Sequence, residues 1–408
     1  MLVDVVPLLA LVVLLAVAYT HPRGRTEAAA GVLAVAATLA TGALSAGAVR
    51  TELRQLGPVV CFLVAILVVA QSCRDDGVFA ALGARLDRVR SQQRLLLLTF
   101  AAAAVVTVVL SLDATVVLLT PVVLAATAKR SLPGQLACVR LANSASLLVP
   151  VANLTNLLAL PHLHLTFARF AFLMAPSWLV VLLIEYVVLR TRYRADLSGP
   201  LPATTGPVPR IPLTTMAVVV LMLLGFVATS PLHLAPAWIA GAAALILTAR
   251  DLVNHRTTPR AVRDAAHPGF AIYVLCLGIV VAALGAGWFG DRVAGLVPSG
   301  RGLGMLLLVA TLGAVLANLV NNLPATLLLV PLVAPLGTTA LLALLIGVNV
   351  GSSMTWTGSL ANLLWRRTLV ASGAPVPSRD FHLTALLAGP AGIVAAVVVL
   401  DAWQGLVG

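Results

Sequence analysis

Twelve apolar runs, most of them about 20 residues long, follow one another through this chain with short breaks between them, and few folds are open to such a pattern. Inside a bilayer no water is present to satisfy backbone N–H and C=O groups, so each run must pair them within itself as a helix. Of the 408 residues, 60% are hydrophobic and 10% charged, with a mean hydropathy of +1.05. That is more apolar surface than a water-soluble domain of this length can hide. The fold class expected is therefore an all-α polytopic membrane protein, multi-pass in the cell inner membrane, with the lipid bilayer as its first partner.

Ten runs read as spans: near 2–19, 28–47, 56–73, 142–160, 167–189, 212–229, 232–249, 269–289, 338–364 and 383–400. The first has a signal-peptide-like end at Ala16-Val-Ala18, but Asp4 and no basic residue precede it, which favours a retained helix. Two runs, 95–128 and 303–336, are too long for one span and too short for two with a turn. The first is polar in its middle (Ser111, Asp113, Thr115) and the second turns at Asn321-Asn322-Leu323-Pro324. Both read as re-entrant hairpins whose tips lie at depth.

Charge sets the orientation. With the N-terminus outside, the loops 21–27, 74–94, 129–140, 190–210, 250–268 and 366–380 are cytoplasmic and hold 21 of the 26 Lys and Arg residues. Arg50, Arg54, Arg169, Arg292 and Arg301 remain outside, an asymmetry that favours this orientation. The net charge of +12 is explained by these loops and implies no nucleic-acid partner. The segment from Asp75 to Arg94 reads either as a short amphipathic helix on the inner surface or as a solvated loop.

The stretch NVGSSMTWTGSLANLLWRR, Asn349 to Arg367, is apolar enough to enter a bilayer yet crowded with small polar groups and glycines. A continuous lipid-facing helix has no use for them, so an interrupted helix beside a protein-lined cavity is expected. NSASLLVPVANLTNLL, Asn143 to Leu158, repeats its pattern: Asn143 falls on Asn349, Ser146 on Ser352, Asn153 on Ser359 and Asn156 on Asn362. Upstream, Asp113-Ala-Thr matches Pro324-Ala-Thr. The chain therefore divides into a first repeat at 1–189, a cytoplasmic linker at 190–211 and a second repeat at 212–408. Each repeat has three helices, a hairpin and two helices, and the second is inverted in the membrane.

Asp113 is the one acidic residue expected deep in the membrane, where carboxylates are retained for ion or proton handling; as a cap on the hairpin's second arm it would also favour the helix N-terminus. Glu185 reads as interfacial, and Arg140 and Arg366 as helix-end residues, so no cation is expected at depth. Each Asn or Ser taken alone is explained by interhelical packing, but their clustering at two predicted breaks points to a site. Trp356 and Trp365 read as packing and interfacial anchors. The four cysteines are widely separated and the seven histidines lack ligand spacing, so no disulfide, metal or cofactor is expected. Without GxxxxGK[ST] or GxSxG the chain is not expected to hydrolyse ATP or to be an enzyme.

ANSASLLVPVANLTNLL (Ala142 to Leu158), NNLPAT (Asn321 to Thr326) and TGSLANLLW (Thr357 to Trp365) resemble the arsenite/antimonite efflux permease family. That family belongs to the ion-transporter superfamily, with divalent-anion/sodium symporters and NhaD-type sodium/proton antiporters. The resemblance runs from about Leu95 onward and implies a scaffold domain and a transport domain moving as an elevator. It implies substrate contact at Ser111, Asn153, Thr155, Asn156, Asn322, Thr357, Ser359 and Asn362, and ion coupling at Asp113. This chain has Asn143 and Asn349 where the family tends to carry an acidic residue, and these join Asp113 as coupling candidates.

The function expected is efflux of arsenite or antimonite in exchange for protons, a small inorganic substrate being held by Asn and Ser/Thr groups. The alternative is a sodium- or proton-coupled carrier of an anion, or a sodium/proton antiporter of the same superfamily; a membrane scaffold or receptor subunit would leave both polar breaks unexplained. By family analogy a cytosolic ATPase partner is compatible with the basic inner loops, as is a homodimer.

Overall fold

The computed structural model describes residues 2–20, 24–126, 132–199, 201, 207–232 and 234–407. Arg23, Lys129 and Arg130 of the basic loops, two of the seven histidines (His21 and His233) and the linker positions 200 and 202–206 lie outside the described residues. The first copy runs α1 (Leu2–Thr20), α2 (Gly24–Ala40), α3 (Ala46–Asp75), a short α4 (Val78–Leu86), and the hairpin α5 (Gln92–Leu110) and α6 (Leu112–Ala126). It ends with the interrupted span α7 (Leu132–Ser144) and α8 (Leu154–Leu163), then α9 (Phe167–Arg192). The second copy runs α10 (Leu213–Thr229), α11 (Pro236–Val253), a short α12 (Pro259–Ala265), α13 (Pro268–Gly285) and a short α14 (Trp288–Ala294). Its hairpin is α15 (Leu303–Val320) and α16 (Asn322–Val333), followed by the interrupted span α17 (Thr338–Gly351) and α18 (Leu360–Ala371), and by α19 (Ser378–Val407).

Among the described residues nine helices are long and apolar enough to cross a membrane. Seven are spans and two, α5 and α15, are first arms of hairpins; α2 and the two interrupted helices complete the ten spans expected. The two copies thus follow the same order of elements, three long helices, a hairpin, an interrupted span and a last long helix. Polar side chains fix the helix starts: Ser45, Ser91, Thr166 and Thr258 each accept from the backbone N–H three residues on.

The first three spans of each copy pack on one another, α3 against α11 and α13 against α1, α2 and α3. The hairpins and interrupted helices form a second body with α9 and α19, in which α15 lies along α17 and α9 along α19. Gly347 and Gly351, one turn apart on α17, make the first of these contacts possible. A Cβ on Gly347 would lie 2.0 Å from the Ala310 carbonyl oxygen, and one on Gly351 would lie 2.4 Å from the Ala314 Cβ. Gly347→Ala must therefore push α15 and α17 apart, and is expected to destabilise the protein by about 2 kcal/mol, read as a lowered thermal midpoint in detergent.

Of the loops assigned to the cytoplasm, 74–94, 190–210, 250–268 and 366–380 are joined at one end. Asp76 is bound by Arg250, Thr215 and Arg256, joining 74–94 to 250–268. Burial alone would raise the Asp76 carboxyl, but the Thr215 and guanidinium hydrogen bonds and the Arg250 charge hold it below the usual carboxylate range. The Leu201 N–H donates to the Arg90 carbonyl (2.9 Å), and the Tyr193 hydroxyl donates to Asp380 (2.7 Å). Arg367 donates to the Ala18 carbonyl at the end of α1. At the other end the Trp288 N–H meets Asp4, and Arg169 meets the Val407 carbonyl.

Two readings are corrected and one choice is decided. The segment after Asp75 is helical over Val78–Leu86 with its Phe79, Ala81 and Leu86 side chains buried in the protein, so of the two readings the short helix holds and the solvated loop does not. Arg140 is not a loop or helix-end cation: it sits inside α7 with no exposed surface, and Glu185 on α9 is 1% exposed. The Arg140 guanidinium donates through Nε to Glu185 (2.8 Å) and through Nη1 to Ser353 Oγ (2.8 Å), while the Ser144 hydroxyl donates to the same carboxylate (2.9 Å). Two opposite charges thus satisfy one another where either alone would be prohibitive. The hairpin register also differs by one residue: the tips are marked by Ser111 (φ 110°) and Asn321 (φ 79°), which places Asp113 opposite Leu323 instead of Pro324.

Candidate functional site

Each interrupted span breaks where a small polar side chain supplies what the lost helical bonds leave open. In the first break the Asn153 side chain accepts from the Thr155 N–H (3.2 Å), and in the second Ser359 Oγ accepts from the Ala361 N–H (3.1 Å). The Asn156 amide donates to the Ser146 and Val149 carbonyls, and Asn362 donates to Ser352 and Thr355 in the same pattern. Ser146 and Ser352 each turn back to the carbonyl three residues earlier. The polar register read from the sequence is therefore a repeated hydrogen-bond scheme. Gly358 is required in the second break, because a Cβ there would lie 2.2 Å from the Ser352 carbonyl oxygen.

The two breaks also bind each other. Asn143 donates to Asn362 Oδ1 (2.8 Å) and Asn349 donates to Asn156 Oδ1 (2.9 Å). Asn349 Oδ1 in turn accepts from Asn153 Nδ2 (2.8 Å) and the Thr155 hydroxyl (2.7 Å). Asn143, Asn156, Asn349 and Asn362 have no exposed surface, and none lines either of the two cavities described below. Their amides are engaged in joining the copies, which suits a residue that both donates and accepts. Asn349→Ala leaves Asn153, Thr155 and Asn156 without a shared partner and is expected to destabilise by about 3 kcal/mol, measured by thermal unfolding.

In front of this framework lies a cavity of about 40 Å³. Its polar wall comes from both tips (Ser111, Asp113 and Asn322) and both breaks (Asn153, Thr155 and Ser359). Facing these groups are Phe62, Leu63 and Ile66 of α3 and Phe270 of α13, so the cavity lies where the two bodies meet. The helices α6, α8, α16 and α18 all begin at it, and their N-terminal partial charges favour oxygen ligands and the Asp113 carboxylate. Ser111 Oγ is buried with no hydrogen-bond partner among the described residues. The Asp113 carboxylate and the Asn322 amide likewise make no hydrogen bond among them. Among the described residues no Arg, Lys or His lines the cavity.

Five of the eight expected substrate contacts, Ser111, Asn153, Thr155, Asn322 and Ser359, thus surround one space together with the coupling candidate Asp113, while Asn156 and Asn362 lie behind it and Thr357 lines a second cavity. The sequence reading missed the Arg140–Glu185 pair and the role of Asn318. Asn318 donates to the Gly351 carbonyl (2.8 Å) and accepts from Thr355 (2.9 Å), fixing the second break to its hairpin. No local pattern in the sequence signals the ion pair, because its two charges are 45 residues apart on different helices.

The citrate transporter family model, CitMHS, matches residues 4–341 of this chain. The chain belongs to the CitMHS family. Relatives of this CitMHS-family chain include the arsenical pump membrane proteins of Yersinia enterocolitica, 26% identical over 392 residues, and of Escherichia coli K12, 26% identical over 384 residues. These alignments cover 88% and 86% of this chain, and 89% and 87% of the relatives. The crystal structure of the YdaH transporter of Alcanivorax borkumensis superposes with a TM-score of 0.53 at 17% identity, covering 89% of this chain and 90% of that one. The fold is thus shared with a transporter, and the CitMHS chain is a multi-pass membrane transport protein.

Proposed function

We propose that this CitMHS-family protein is a secondary carrier that expels arsenite or antimonite across the inner membrane in exchange for protons. The observation that carries the reading is the 40 Å³ cavity, with one carboxylate, uncharged hydroxyl and amide groups, and no cation in its wall. A single water needs about 10–15 Å³ in the same measure, so the space suits one small polyhydroxylated species. Arsenous acid is neutral at neutral pH and offers three hydroxyls to Ser111, Asn322 and Ser359. Asp113 is the proton-carrying group, and an uncharged substrate tolerates it in either protonation state.

The family description, citrate transporter, favours a second reading, an anion carrier coupled to protons or sodium. The convergent helix N-termini would serve an anion. Against it stand the small volume and the missing cation, since Arg140 is already bound to Glu185 and Ser353. A cytosolic ATPase or a second copy of the chain remains a proposal that this mechanism does not require. The test is uptake by everted vesicles under an imposed proton gradient: arsenite and antimonite are expected to accumulate, and citrate and sodium are not. Citrate accumulation without arsenite would replace the first reading with the second.

A further inference from the structure

A second cavity, of about 520 Å³, lies on the other side of the second hairpin's tip. Asn321 lines this one and Asn322 the first, and Leu360 belongs to the walls of both. One side is the last turn of α1 with Tyr273 and Leu277 of α13; the other is the tip, the unwound segment through Thr355 and Thr357, and His382. It therefore also lies between the two bodies. Thr20, the last residue of α1, lines it, and with the basic loops inside, that end of α1 is cytoplasmic.

The polar part of this wall is held in place by the hairpin. Asn321 Nδ2 donates to the Thr357 carbonyl (2.8 Å), and the Thr355 hydroxyl donates to Asn318 Oδ1 (2.9 Å) and lies 3.4 Å from the Thr357 hydroxyl. Thr357 is exposed although it sits in the middle of an interrupted span. Among the described residues no Asp, Glu, Lys or Arg lines the cavity, and one ring nitrogen of His382, Nδ1, is 2.9 Å from the Met354 carbonyl oxygen. The wall thus presents fixed hydroxyl and amide groups of the same kind as the smaller cavity, in a space large enough for a hydrated solute.

We propose that this cavity is a cytoplasmic antechamber of the transport site: a small neutral polyhydroxylated solute is first held against Asn321, Thr355 and Thr357, then passes Leu360 into the smaller cavity. The identity of the solute rests on the function proposed above; the direction of opening does not. This also gives Thr357, which lies away from the smaller cavity, its part in transport.

Two measurements test it. With Cys61 changed to Ser, the remaining native thiols are buried, and Thr357→Cys is treated with a membrane-impermeant maleimide. Labelling is expected in inside-out vesicles and absent in right-side-out ones; labelling from the outer face alone, or from neither, overturns the antechamber. Leu15→Cys, on the opposite wall, reads the same space should the first variant fail to fold. In the second measurement, Thr357→Val is expected to raise the KM for arsenite uptake in inside-out vesicles at least fivefold while Vmax stays within twofold. An unchanged KM overturns the binding role. Inner-face labelling in a protein that moves no arsenite overturns the proposed function and leaves the cytoplasmic opening standing.

Discussion

Everted vesicles carrying Asp113→Asn are expected to accumulate no arsenite above background under a proton gradient that drives uptake by the unmodified protein. Among the described residues Asp113 is the single carboxylate in the wall of the smaller cavity, and no cation lines that wall. A proton taken on one face and released on the other needs a group that exists in both states, and the amide of Asn exists only in one. The exchange is isosteric and removes no hydrogen bond among the described residues, so the variant should fold and its loss should appear in rate instead of abundance. The sign follows from the cycle: wild-type uptake rises as the driving gradient steepens, while the variant responds to none. Uptake by Asp113→Asn with an undiminished response to pH would remove the proton-exchange mechanism.

The second large effect is on stability. Arg140→Leu leaves Glu185 as an uncompensated charge inside the second body, and Glu185→Leu leaves Arg140 so. Breaking a buried pair from one side is expected to destabilise by about 3–5 kcal/mol. Each single variant should therefore show a strongly lowered thermal midpoint in detergent, or fail to accumulate in the membrane. The double variant Arg140→Leu with Glu185→Leu should recover much of the loss, because removing both charges removes the desolvation penalty with them. Recovery will be incomplete, since Ser144 and Ser353 also lose a partner. A double variant as unstable as the sum of the two singles would show that the charges do not act as a pair.

These two residues also mark where reading the chain alone stops. Asp113 stands out in a run otherwise apolar, and burial makes such a carboxylate conspicuous. Arg140 and Glu185 are 45 residues apart, and each lies close enough to other charges to pass for a helix-end residue. Only the packing of α7 against α9 brings them together. The asparagines divide in the same way. Their positions repeat in the sequence, but whether an amide faces a cavity or a neighbouring amide depends on the angle at which two half-helices cross. Asn153 and Asn322 reach the cavity, whereas Asn143, Asn156, Asn349 and Asn362 are consumed in joining the two copies.

The order of spans, the two hairpins and the two breaks were determined by the sequence by itself, because bilayer thickness and backbone satisfaction act on local stretches of chain. The register of each tip, the ion pair behind the breaks and the division of the polar residues between two cavities were decided only by the tertiary structure. Those depend on contacts between segments as much as 200 residues apart, for which a single linear pattern carries no geometry.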